Sequence, residues 1–138
     1  MNSFHLCILA ADKPFYDGEC VSLCIPTDDG IYGVQANHHN IIAAIVAGTV
    51  SFRKKENEDF EFAAVSQGIM KVENGEVLLL VDTAERPDEI DSSRAMQDAI
   101  EAREEILKKQ SIAEYKEAEA RLARALTRIK TKGKKGIF

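Results

Sequence analysis

The chain has 138 residues, 45% of them hydrophobic and 30% charged, which suits a globular protein with one ordinary domain and a small appendage. Its formal net charge of −5 argues against general nucleic-acid binding. The charge is uneven: residues 1–86 hold 13 acidic against 6 basic side chains, and residues 87–138 hold 10 against 12.

Phe4-His5-Leu6-Cys7-Ile8-Leu9 alternates and predicts a first strand, followed by a turn at Lys13-Pro14-Phe15-Tyr16-Asp17-Gly18. Cys20 to Ile25 predicts a second strand with Val21, Leu23 and Ile25 on one face. Pro26 to Gly30 reads as a loop, and Gly30 to Val34 as a short strand. Ile41 to Val46 is the longest apolar run and fits a buried strand; Thr49 to Arg53 and Phe60 to Val65 are two more, joined by the charged run Lys54 to Asp59. The clearest hairpin runs from Ile69 to Val81, where Asn74-Gly75 supplies the two positive-φ residues of a type I′ turn. Many short strands with frequent turn signals indicate a sandwich or barrel.

Ala84-Glu85-Arg86-Pro87 marks a change of character. All three prolines and six of eight glycines lie at or before it, and no glycine follows until Gly133. The expected division is therefore a β module over 1–86 and a helical arm over 87–138. Asp91 is a good N-cap for a helix from Ser92 to about Lys109, with Met96, Ala99, Ile100, Arg103 and Leu107 as its apolar stripe. Ser111-Ile112-Ala113-Glu114 reads as a capping box after a break at Gln110-Ser111, opening a second helix striped by Tyr115, Ala118, Leu122, Ala125, Leu126 and Ile129. These stripes are thin and rich in alanine, so the hairpin needs a partner surface: the β module, another subunit or a ligand. It can be docked permanently or move between two seats; the pattern leaves both open. The cationic end, Lys130 to Gly136, fits either a solvated helix terminus or a contact with an acidic partner.

No secretory signal is expected, since Met1-Asn2-Ser3-Phe4 lacks a basic n-region, and no segment has the roughly 20 apolar residues that span a bilayer. Cys7, Cys20 and Cys24 are odd in number and lack a CxxC pair, so they are expected to be reduced and buried. His38-His39 is poorly spaced to ligate one metal ion. No nucleophile–base constellation, phosphate loop or dinucleotide fingerprint is visible, so catalysis, a metal and a required cofactor are not expected.

The strongest constellation is Glu85, then Ile90-Asp91-Ser92-Ser93-Arg94-Ala95, then Arg124 and Arg128. Arg124 and Arg128 are four apart and share a helix face. In a folded-back hairpin they would meet Arg94, with only Asp91 and Glu85 to offset the three guanidiniums. Guanidinium forks suit polyphosphate oxygens, and the first turn of the helix would add amides. The competing assignment pairs Arg124 and Arg128 with Glu117, Glu119 or solvent.

Taken in order, Phe4-His5-Leu6-Cys7-Ile8, Phe15 to Val21, Asp29-Gly30-Ile31-Tyr32-Gly33-Val34, His38, Gln67 to Val72, Leu79 to Glu85 and Ile90-Asp91-Ser92-Ser93-Arg94-Ala95 resemble the epsilon subunit of the bacterial rotary F-type ATP synthase. The resemblance covers nearly the whole chain. It implies a ten-stranded flattened β-sandwich followed by an antiparallel two-helix hairpin. It also implies a non-catalytic subunit of the central stalk, bound to the gamma subunit and the c-ring at the cytoplasmic face of the membrane. The hairpin would reach the alpha/beta catalytic head as a mobile brake on ATP hydrolysis. In some members the folded hairpin binds ATP, and Glu85, Ile90, Asp91, Arg94, Ala95, Arg124 and Arg128 match the positions used there. Ile31, Tyr32 and His38 match positions of stalk contact. Three departures stand out: Ala36-Asn37-His38-His39-Asn40 where relatives usually have Pro-Gly-His-Ala-Pro, Ile31 at a loop position that is acidic in some members and faces the ring, and Glu101 where some ATP-binding relatives have arginine, with Arg103 half a turn away. A free nucleotide-sensing switch for an unrelated partner is the alternative reading, and a sugar-binding or adaptor sandwich a weaker third.

Overall fold

The computed structural model describes residues 2–107 and 111–133. Nine strands follow in order: β1 (Phe4–Ala10), β2 (Pro14–Cys20), β3 (Ser22–Thr27), β4 (Gly30–Val34), β5 (Ile41–Ile45), β6 (Gly48–Arg53), β7 (Glu61–Val65), β8 (Gly68–Glu73) and β9 (Glu76–Val81). A two-residue β10 (Ala84–Glu85) and a 3-10 turn (Pro87–Glu89) lead into α1 (Ser92–Ile106) and α2 (Ile112–Lys132). The strands form two five-stranded sheets, ordered β2-β1-β9-β8-β5 and β10-β7-β6-β3-β4. The fold is therefore the flattened ten-stranded sandwich with a helical hairpin.

Period-2 alternation places Leu6, Ile8, Leu23, Ile25, Val50, Phe52, Met70 and Leu79 between the sheets, all with no exposed surface. Each such side chain contributes about 1.5–3 kcal/mol by burial, so the sandwich owns its core. Asn74 (φ 52°) and Gly75 (φ 80°) make the expected hairpin turn between β8 and β9.

Several local expectations need correction. The segment Lys13–Gly18 is not a turn: Pro14 opens β2, whose residues pair with β1 from Leu9 back to Phe4. Proline is tolerated there because β2 is an edge strand with one unpaired side. Cys20 ends β2 rather than beginning β3, and Val21 lies between them. The chain does not loop out at Pro26, since β3 continues to Thr27; its pairing with β6 ends at Cys24, so Pro26 has no ladder partner on that side. The apolar run of β5 is only half buried. Ile41, Ala43 and Ile45 turn inward, whereas Ile42 is 69% exposed, because the helices cover the other sheet. Cys20 is buried, but Cys7 and Cys24 are only partly so, as they point away from the core. All three are free thiols.

The hairpin also differs in its seam. The side chains buried along α1 are Ala95, Ala99 and Ala102, and along α2 Ala118, Ala125 and Thr131. Met96, Ile100 and Leu107 are exposed, as is Arg103. Alanines let the helices approach closely, and the larger apolar groups of α1 are left outside the seam. Asp91 Oδ1 accepts the Arg94 amide at 3.1 Å, and Ser111 Oγ accepts the Glu114 amide at 3.2 Å, so both expected N-caps form. Helix α1 ends at Ile106; the expected continuation to Lys109, the break at Gln110 and the lysines beyond Gly133 lie outside the described residues. Helix α2 lies over β6 and β7, and α1 packs on α2.

Candidate functional site

The last strand sets the site. β10 pairs with β7 through Ala84 opposite Val65 and Glu85 opposite Ala64, which fixes Glu85 at the edge of the sheet beneath α2. Arg86 then anchors the linker. Its guanidinium lies 4.5 Å over the Phe15 ring and donates to Phe15 O at 3.1 Å. The chain turns through Pro87–Glu89, buries Ile90, and starts α1 at the cap Asp91.

Between the sheet edge, the start of α1 and the later turns of α2 lies a cleft of about 560 Å³. Of the seven residues expected to form the site, Glu85, Arg94, Arg124 and Arg128 border it. Ile90 and Ala95 are buried in packing, and Asp91 is spent on its cap, so these three support the cleft without lining it. The first-turn amides are correspondingly less available than expected, since Asp91 holds the Arg94 amide.

The guanidiniums are also less free than expected. Arg128 stands with Nε 2.7 Å from Glu85 Oε1 and donates from Nη2 to Glu85 Oε2 at 3.2 Å. Its Nη1 lies 3.8 Å from Asp98. Arg121, which the sequence reading missed, donates to Glu101 and, at 3.0 Å, to Glu105, and approaches Asp98 at 3.7 Å. Arg94 and Arg124 make no ion pair or side-chain hydrogen bond among the described residues. The alternative pairing of Arg124 or Arg128 with Glu117 or Glu119 does not occur among the described residues either.

The order of the pairs, Glu105 with Arg121 and Asp98 with Arg128, shows that the helices run antiparallel. Hydrogen bonds from Gln97 and Arg121 hold Glu101 below the usual carboxylate range, and that bond raises Arg121 above the usual arginine value. Glu101 does not border the cleft, so this departure from arginine puts a carboxylate on the hairpin seam and not against a ligand.

Five cationic side chains, Lys13 among them, and four carboxylates border the cleft, an excess of one positive charge. That field alone is too small to hold a polyanion, and the bordering guanidiniums with donors to spare among the described residues are those of Arg94 and Arg124. Arg124 also lines a second hollow of about 590 Å³ beside Gly68, Ile69, Ala120 and Ala123. The signal for Arg121 was present: Asp98, Glu101 and Glu105 share a face of α1, and Arg121 and Arg128 share one of α2.

On β4, Ile31 is 71% exposed and borders a hollow shared with Leu126, Thr127 and Lys130 of α2. His38 Nδ1 donates to His39 O at 2.7 Å, and its Nε2 is hydrogen-bonded to the Tyr32 hydroxyl at 2.8 Å. Asn37 has φ 64°, a left-handed position that asparagine tolerates better than most residues, which explains how this loop forms without the glycine usual there.

A ten-stranded sandwich carrying a two-helix arm, with an arginine-lined cleft at their junction, defines a two-part, sandwich-and-hairpin class of protein. Residues 3–87 match the family model described as ATP synthase, Delta/Epsilon chain, beta-sandwich domain, and residues 88–133 match its long alpha-helix domain. The ATP synthase epsilon chain of Ruminiclostridium cellulolyticum is 35% identical over 94% of this chain and 95% of its own. That of Clostridium novyi is 37% identical over 92% and 95%. The chain therefore belongs to the ATP synthase delta/epsilon chain family, as an epsilon-type subunit and not the catalytic one. The fold recurs in a chain of the Euglena gracilis mitochondrial ATP synthase, at TM-score 0.79 and 20% identity, covering 91% of this chain and 78% of that one. It recurs in the central stalk/c-ring structure from Tetrahymena thermophila at TM-score 0.65 and 14% identity, covering 93% and 95%.

Proposed function

We propose that this subunit couples the gamma subunit to the c-ring within the central stalk, and that its helical arm restrains ATP hydrolysis when it leaves the sandwich for the catalytic head. Exposed Ile31, with the half-buried Tyr32 and His38 beside it, belongs to the stalk contact in this reading. The subunit sits at the cytoplasmic face of the membrane as a peripheral component; no helix among the described residues is long and apolar enough to cross it. ATP is the regulatory ligand, its phosphates held by Arg94 and Arg124 with Arg128 behind them, and its occupancy favours the docked arm.

The observation that carries the reading is the nature of the dock. The sandwich has a core of its own, whereas among the described residues the fully buried side chains of α2 are small (Ala118, Ala125, Thr131), and one ion pair (Arg128–Glu85) and one hydroxyl pair (Thr131–Thr49) tie it to the sandwich, with an open cleft beside them. Deleting residues 88–138 should leave assembly intact and raise ATPase activity of the complex. Unchanged hydrolysis would count against the restraint. Calorimetric titration of the whole chain with ATP tests the ligand separately; no heat at millimolar ATP would remove it and leave the stalk role standing.

A further inference from the structure

We propose that Asp98 sets the anion affinity of the cleft by acting as a built-in competitor for its arginines; this rests on the cleft being a polyphosphate site. Asp98 is on α1, borders the cleft, and lies 3.7 Å from Arg121 and 3.8 Å from Arg128. Its carboxylate thus stands where one oxygen of an incoming phosphate would meet the same two guanidiniums. An anion entering the cleft must either displace it or settle for Arg94 and Arg124, which have no internal partner among the described residues.

The geometry also separates this role from holding the hairpin shut. Without the Asp98 charge, Arg121 keeps its bonds to Glu101 and Glu105, and Arg128 keeps Glu85. Glu101 provides the matched control: it pairs with the same Arg121 and carries the same charge, but it faces the seam outside the cleft. Neutralising Asp98 removes one negative charge from the cleft wall itself, while neutralising Glu101 removes one that stands outside the cleft.

The test is calorimetric titration of the full chain, Asp98→Asn and Glu101→Gln with inorganic tripolyphosphate and with ATP at moderate salt. Asp98→Asn is expected to bind both about three- to tenfold more tightly, from the loss of one repulsive charge a few ångströms from the phosphates, and Glu101→Gln to stay within about twofold of the parent. Far-ultraviolet circular dichroism should show the same helix content in all three. If the parent binds ATP and Asp98→Asn binds no better, or Glu101→Gln gains equally, the competitor role is overturned and the nucleotide site stands. If Asp98→Asn binds and the parent does not, the competitor role holds and nucleotide sensing by the native chain falls. Silence from all three overturns both.

Discussion

The hydroxyl pair between Thr49 and Thr131 offers a sharp test of how the arm is docked. Thr131, near the end of α2, has no exposed surface, and its Oγ1 lies 2.8 Å from Thr49 Oγ1 on β6. Valine matches threonine in shape and in helix propensity, so Thr131→Val removes the bond while leaving packing intact. The loss is one buried hydrogen bond plus the cost of a Thr49 hydroxyl left facing a methyl group, about 1–2 kcal/mol together. Replacing both partners leaves no orphan, so Thr49→Val/Thr131→Val should cost only about 0–0.5 kcal/mol. Native-state amide exchange over the interior of α2 reads this directly. The single variant should exchange about five- to thirtyfold faster there, the double variant close to the parent, and strands β1, β8 and β9 should not change. If the double variant costs the sum of two singles, the threonines are not partners. If neither single matters, α2 is not seated on β6 through them.

Other perturbations test other parts of the structure. A Cβ on Gly68 would lie 2.0 Å from Leu80 O and 2.8 Å from Val81 Cα, so Gly68→Ala should lower sandwich stability by about 3 kcal/mol or more, seen as a lower urea midpoint. Burial both hides the Cys20 thiol and raises its pKa, so alkylation under native conditions should reach Cys7 and Cys24 and spare Cys20 until the sandwich unfolds. The Glu101 carboxyl is held below its ordinary range, so its contribution is full above the unfolded value and is lost as pH falls through the folded one. Exchange protection on the α1–α2 seam should hold from neutrality to mild acid and drop below the usual carboxylate range, and Glu101→Gln should remove its part of that drop.

The sandwich was largely legible because its signals are local. Strict alternation marks β1, and Asn74-Gly75 can hardly be anything but a hairpin turn. What failed there depended on place in the sheet. Pro14 and Pro26 read as breakers, yet an edge strand and the unpaired stretch of β3 accept them. The β5 run read as buried because composition cannot say which face the helices will cover. The arm was harder for a different reason. A helix with alanines on one side and Met96, Ile100 and Leu107 on another offers two candidate seams, and hydrophobicity alone picks the bulkier. Close approach of antiparallel helices picks the smaller. The arginine cluster and the carboxylate nearest to it, Glu85, were found by spacing, but Asp98 becomes visible only once the helices are in register.

That register bears on energy as well as recognition. Among the described residues the polar ties from α2 to the sandwich are the Arg128–Glu85 pair, with side chains 20% and 29% exposed, and the threonine pair. At about 1–2 kcal/mol for each, they sum to roughly 3 kcal/mol beyond the small area that alanine buries. These polar ties alone are worth about a 150-fold preference, a difference of the size that one ligand or partner surface can offset. The sandwich core lies far above that scale, since every one of its fully buried side chains matches or exceeds a single tie. On the proposed reading, an arm leaving this dock would take the helix seam with it intact, since Arg121 clamps that seam against three carboxylates of α1 and against nothing on the strands among the described residues.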